Sequence, residues 1–549
     1  MTLGCSSPDP QIVAETPDGL HLPSGFETGE DVITADLITE HVAALSSDET
    51  EGRGPGTAGD AMARKYLADQ MAALGLEPGI DGEWEQPITL VGIDTAAPEV
   101  WSLAKGNEAR LDLKFWDDYI AGSGVQDSSA SIENAEVVFV GYGIEAPEYD
   151  WNDFKDTDLS GKILLIVNND PDWDPELFEG NRRLYYGRWD YKYESAARQG
   201  AAGAIIIHTT PSAGYPFQVV QTSWTGPQFE LPAGDEPRMQ VKAWVTEEAA
   251  EQLVGLAGLD LATLVESAKK RDFQPVPLGV TTSLDLTNSI KEVETANVGG
   301  LLPGSDLAHE VVVYTAHHDH YGIGEPDADG DTIYNGARDN ASGSAEVLAI
   351  AKAFTSLPNP PRRSILFLFV AAEEQGLLGS EYYARNPTFS PGRIAANINL
   401  DGANIWGRSR DVAYVGYGKS SLDAVVEAAA ARQDRVVKPD QYPDRGHFYR
   451  SDQFNFAKIG VPAIYLEKPA EFIGRPASWG PEQVDAWEAT HYHQPSDELD
   501  DSWNLEGAIE DTRLSFLAGL SISENENLPT WNPDDEFEAA RSAALAAVE

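Results

Sequence analysis

At 549 residues the chain exceeds what one hydrophobic core usually serves, so two domains are expected. Apolar residues make up 42% and include 13 Trp, 20 Tyr and 18 Phe, which excludes a disordered chain. Ninety acidic against 38 basic residues give a formal charge of −52, a body that repels nucleic-acid phosphates and anionic lipid surfaces. The single cysteine, Cys5, excludes an internal disulfide framework and a thiolate zinc site. No run of about 18 apolar residues is present to span a membrane.

In chain order, Leu3-Gly4-Cys5 followed by small and polar residues reads as the lipid-attachment end of a bacterial lipoprotein signal whose front is missing. Residues 6–30, rich in Pro, Gly and acids, read as a tether. Ile33, Leu37, Ile38, Val42 and Leu45 at helical spacing predict a helix from Thr34 to Leu45. A glycine-rich loop at 47–57 breaks it, and a second amphipathic helix runs from Gly59 to Leu74. From about Ile132 short strands take over at 137–143 and 162–167. A helix at Glu194–Gln199 follows, then a strand at 204–208 that ends on His208, a lone histidine read as structural. After residue 296, strands at 311–316, 365–370 and 396–400 alternate with a helix at Ser344–Thr355 that Pro358, Pro360 and Pro361 stop. This alternation predicts an α/β domain with a largely parallel sheet, whose sites gather at the carboxyl ends of strands. The final acidic residues, 525–549, look peripheral, with 537–548 a candidate helix.

Each of the three apolar strands stops at chemistry. The first empties into His317-His318-Asp319-His320, the second into Glu373-Glu374, and the third into Asp401. Between the first two lies Asn335-Gly336-Ala337-Arg338-Asp339-Asn340-Ala341-Ser342-Gly343, and His491-Tyr492-His493 comes late in the chain. Zinc takes imidazole nitrogen and carboxylate oxygen, and two zinc ions need a shared carboxylate plus a His and an acid on each side. His317, Asp339, Glu374, Asp401 and His493 supply that set. Asp319 is suited to accept the other ring proton of His317. Glu373 is then left beside the attacking water as base and later acid.

The order AHHDH, NGARDNASG, FLFVAAEEQGLLGSEYY, NINLDG and YHQPSDEL resembles the co-catalytic di-zinc aminopeptidase family, whose relatives include leucyl aminopeptidases, glutamate carboxypeptidase, glutaminyl cyclase and the transferrin receptor. The resemblance covers most of residues 33–130 and 285–525, with an inserted block that resembles a protease-associated domain. It implies a mixed, largely parallel α/β zinc exopeptidase fold carrying a mostly β insertion. The implied domains are a tether at 1–30, the peptidase domain at 31–130 and 276–525, the insertion at 131–275 and a tail at 526–549. It also implies two zinc ions, one on His317 and Asp401, the other on Glu374 and His493, with Asp339 bridging. Glu373 would be the general base and acid, Tyr492 the phenol that stabilises the oxyanion, and Asp339–Asn340 a cis peptide. His318, His320 and His491 match no ligand position.

The implied activity is release of N-terminal residues from peptides with a free amino terminus, by a water shared between the zinc ions, outside the bacterial cytoplasm. A carboxypeptidase or dipeptidase on the same scaffold is the alternative. A cyclase would work with one zinc, and a receptor-like homologue would have an eroded ligand set. Two weaker motifs remain. Asp327–Asp331 has the flavour of a calcium loop without the later glutamate and reads as a turn. The stretch 445–452, with His447 a wall residue, falls where relatives place a substrate-facing loop.

Overall fold

The three apolar runs fold as expected into adjacent parallel strands. The structure, a computed structural model, describes residues 19–107, 109–327 and 329–548. These divide into two compact units: residues 19–88, 295–441 and 451–548 form the first, and residues 89–294 with 442–450 the second.

In the first unit a mixed sheet is built from the end of β1 (Val276–Leu302), β2 (Leu307–His317), β3 (Arg363–Val370), β4 (Ile394–Asn399), β5 (Asp411–Val415), β6 (Val436–Pro439) and β7 (Ala463–Glu467). β2 lies between β3 and β4, parallel to both, and β7 continues the parallel series beyond β4. β1 is antiparallel to β3 on one side, and β5 antiparallel to β7 on the other, with β6 parallel to β5. Every residue of β3 and β4 is buried, as in a parallel sheet covered on both faces. Val312, Tyr314 and Ala316 face one core, whereas Val311 and Val313 face the other, the two-residue period of a strand covered on both sides.

The first core is closed by α1 (Glu27–Val32), α2 (Ala35–Leu45), α3 (Ala58–Ala73), α4 (Gly343–Thr355) and, late in the chain, α6 (Glu506–Glu524) after α5 (Trp479–Thr490). Thr34 caps α2 by accepting from the Leu37 amide, and Thr57 caps α3 by accepting from the Asp60 amide. Gly519 lets α6 approach Tyr314, whose hydroxyl would meet a Cβ there at 1.8 Å and instead donates to the Ser515 carbonyl at 2.9 Å. No helix among the described residues is long and apolar enough to cross a membrane.

Both chain ends depart from the sequence reading. The expected tether at 1–30 is folded from residue 19 onward: Leu20, Leu22 and Phe26 are buried in the first core, because apolar side chains spaced among the prolines still find a face to cover. Residues 1–18, with Cys5, lie outside the described residues. The tail at 526–549 is not peripheral either. Trp531 and Phe537 are buried, and Arg541, on α7 (Glu538–Ala546), donates to the carbonyls of Pro529, Pro391 and Ile394.

The second unit starts at Thr89, not near residue 131. The reason is long-range pairing: Leu103 and Ala104 pair with Thr282 and Thr281, and Tyr119–Ser123 pairs with Val241–Thr246. Its centre is a parallel series, Ser129–Phe139, Ile163–Val167, Gly203–His208 and Val241–Thr246. Helices Trp189–Arg198, Glu247–Leu256 and Leu261–Ala268 accompany the strands of this unit. His208 has the structural role expected of it, bonding through Nε2 to the Tyr215 carbonyl at 3.0 Å.

Glu230 in this unit pairs with Arg238 at 2.8 Å and Lys242 at 2.7 Å. Burial pushes its carboxyl upward, but Lys242 and Arg238 outweigh burial and hold it at about 2. A depressed carboxyl stabilises the fold above its unfolded value near 4.5 and loses that contribution as pH falls towards 2. Glu230→Gln is therefore expected to cost on the order of 2 kcal/mol at pH 6 and much less at pH 2.5. Urea unfolding at the two pH values checks this, and a pH-independent difference would refute it.

Candidate metal centre

Register brings the centre together. His317, the last residue of β2, lies opposite Val370, the last of β3, and Thr315 lies opposite Asn399, the last of β4. Glu373, Glu374 and Asp401 follow a few residues beyond, at the same sheet edge. Asp339 arrives on the loop ahead of α4, and its bond to Asn340 is cis, as the resemblance implies. His493 arrives just after α5.

Asp339 divides its two oxygens between two imidazoles. Oδ1 lies 3.2 Å from His317 Nε2, and Oδ2 lies 3.4 Å from His493 Nε2. His317 Nε2 is also 3.3 Å from Asp401 Oδ1, and His493 Nε2 is 3.2 Å from Glu374 Oε2. Glu373 Oε2 stands 3.9 Å from His317 Nε2. All five residues read from the sequence as ligands, and the proposed base, thus converge on one cluster. Three triplets, each with ligand atoms within 4.8 Å of one another, overlap in it: His317, Asp339, Asp401; His317, Glu373, Glu374; and His320, Asp339, Glu374.

Two features suit this donor set to cations. The buried Nε2 atoms of His317 and His493 make no hydrogen bond, although each faces carboxylate oxygens. Charge points the same way. Burial and then neighbouring carboxylates push Glu373 well above the carboxylate range, and burial pushes Glu374 up to about 8. Asp339 is driven the other way: burial would raise it, but His317 and His493 outweigh burial and hold it low. A buried group of carboxylates with two imidazoles is short of positive charge, which dications supply.

The surroundings fix ring orientation. His317 Nδ1 donates to the Asp319 carbonyl at 3.2 Å, which leaves Nε2 as the lone pair facing the cluster. Sequence reasoning gave that role to the Asp319 carboxylate. The carboxylate lies 3.7 Å from Nδ1 and accepts instead from the amides of Glu373 at 3.1 Å and Glu374 at 3.4 Å, so Asp319 positions the glutamate turn as well as the ring. Tyr492, 38% exposed, stacks on His493 with ring centroids 3.7 Å apart.

Several contributors were not read from the sequence. Tyr321 hydroxyl lies 3.1 Å from His493 Nδ1, and Ser451 hydroxyl donates to Asp401 Oδ2. His320, set aside as matching no ligand position, donates from Nδ1 to Glu374 Oε1 at 2.6 Å. Asp497, in the SDEL segment, accepts from the amides of Arg338 and Asp339, both at 3.0 Å. The clustered histidines and the acid four residues after His493 were the available signals; nothing local marked Tyr321 or Ser451. His318 bonds the Ala296 carbonyl at 3.1 Å, and His491 lies 2.6 Å from the Thr490 hydroxyl, so neither joins the cluster. Asp327 accepts from the amides of Asp329 and Asp331, both at 2.9 Å, as a turn does. His447 belongs with 442–450 to the second unit.

A parallel-stranded α/β unit whose strand ends gather two imidazoles about a shared carboxylate presents a donor set suited to metal ions. Residues 297–517 match the model of peptidase family M28. Among curated proteins, aminopeptidase YwaD of Bacillus subtilis is 26% identical over 269 residues, covering 47% of this chain and 52% of the relative. A probable zinc metalloprotease of Pyrenophora teres is 29% identical over 163 residues, covering 29% of this chain and 31% of that protein. The chain thus spans about half the length of the first of these relatives and less of the second. An aminopeptidase from Aneurinibacillus sp. strain AM-1 shares the fold, with a TM-score of 0.50 at 20% identity over 90% of this chain and 95% of that one.

Proposed function

We propose that the chain is a zinc-dependent aminopeptidase that releases N-terminal residues from peptides. The observation that carries this reading is the division of the Asp339 carboxylate between His317 and His493, both with hydrogen-bond-free nitrogens. Two zinc ions would be held, one by His317 and Asp401, the other by Glu374 and His493, with Asp339 common to both. When bound, zinc supplies Lewis-acid polarisation of the scissile carbonyl and of water.

The chain's own groups do the rest. Glu373, pushed by burial towards higher proton affinity, accepts a proton from the attacking water at its carboxylate and returns it to the leaving amine. Asp319 fixes the Glu373 and Glu374 amides and the His317 ring. For His493 to act through Nε2, its Nδ1 carries the proton and donates to the Tyr321 oxygen. The Tyr492 phenol faces the oxyanion. The inserted unit is read as a protease-associated domain, and attachment outside the cytoplasm through Cys5 belongs to the same reading.

A free amino terminus is the recognition element, so a leucyl peptide is expected to be cleaved at least about a hundredfold faster than its N-acetyl form, a few kcal/mol of discrimination. Mass spectrometry of both digests checks this; equal cleavage, or release of C-terminal residues, would favour a carboxypeptidase instead.

A further inference from the structure

Arg53 is wholly buried on the loop between α2 and α3, and every hydrogen bond its guanidinium makes goes to a main-chain carbonyl. Nε donates to His318 at 2.8 Å, Nη1 to Leu45 at 2.8 Å and Asn335 at 2.6 Å, and Nη2 to Gly336 at 2.9 Å. The Arg53 carbonyl in turn accepts from the His320 amide at 3.4 Å.

These partners are not scattered. Residues 318–320 directly follow His317, and residues 335–336 lead into Asp339. The two segments are the feet of one hairpin, Gly322–Ile323 paired with Ile333–Tyr334. Leu45 is the last residue of α2. One side chain therefore ties both feet of the hairpin to a helix end. The loop is shaped for this: Glu51, Gly52 and Arg53 all have positive φ, and a Cβ on Gly52 would lie 2.5 Å from the carbonyl oxygens of Gly322 and Tyr334. A planar fork of five donors can serve four carbonyls, whereas an ammonium has three donors on one atom. The positive charge itself repels a dication, so any gain in metal binding comes from the geometry of the bonds.

We propose that Arg53 is a positioning residue of the metal centre, holding the segments of His317 and Asp339 at ligand separation before any ion arrives. This rests on the metallopeptidase reading above. The test is zinc titration of metal-stripped protein by calorimetry, which needs no activity. Wild type is expected to bind zinc, and Arg53→Lys to bind at least tenfold more weakly.

A purely structural role would lower the unfolding temperatures of metal-free and zinc-loaded Arg53→Lys equally and leave affinity unchanged, which would overturn the proposal alone. Wild type without zinc affinity would overturn the metallopeptidase reading, and this inference with it. Should the variant not fold, hydrogen exchange on metal-free wild type decides. Amides of 318–320 and 335–338 already protected without zinc support the clamp; protection gained only on adding zinc overturns it.

Discussion

Replacing Glu373 by Gln is expected to lower kcat by about 10³- to 10⁴-fold while the purified enzyme keeps the zinc content of the wild type. The amide preserves side-chain shape but has no carboxylate to take a proton. Glu373 belongs to the cluster, 3.9 Å from His317 Nε2, but in the proposed arrangement holds neither ion. Its amide hydrogen bond to Asp319 comes from the backbone and survives the substitution. Hydrolysis of an amino-acid p-nitroanilide, with metal analysis of the same sample, checks both halves. Wild-type turnover in the variant would remove Glu373 from the chemistry.

The second large effect is expected at Asp339. Asp339→Asn replaces one carboxylate oxygen by an NH2 group, which cannot ligate and faces an imidazole nitrogen. It also removes one negative charge from the point shared by both proposed ion positions. At least one zinc per chain is expected to be lost on dialysis, and activity with it. The backbone is not the cause, since the Asp339 amide remains held by Asp497. The two variants separate the roles: one loses turnover with metal retained, the other loses metal first. If Asp339→Asn kept two tightly held zinc ions, the shared-carboxylate arrangement would be wrong.

Much of this centre could be read from residue order because of how buried parallel strands are written. β3 and β4 are covered on both faces and rich in apolar residues, so acids two or three positions beyond them stand out. Asp339 and His493 were readable only through the motif order, since neither follows a strand. Arg53 shows what sequence hides. It lies in a glycine-rich loop more than 260 positions from the His318 carbonyl it bonds, and no local pattern announces that contact. The start of the second unit was misplaced for a related reason. Its first strands look like a continuation of the preceding domain until their partners near residues 243 and 282 are known. At the C-terminus an acidic composition masked Trp531, Phe537 and Arg541, which are buried despite their neighbours.

The discontinuity of the first unit sets an order on biosynthesis. Its core takes in Leu20 near one end of the chain, and Arg541 near the other fastens on the Ile394 carbonyl at the start of β4, the strand that leads to Asp401. While the ribosome is still producing the chain, that core lacks its closing pieces and its apolar strands stand exposed. All of the second unit except the nine residues Tyr442–Arg450 emerges as one block, so it can collapse first. The proposed metal centre therefore cannot assemble until His493, 176 residues after His317, has been made.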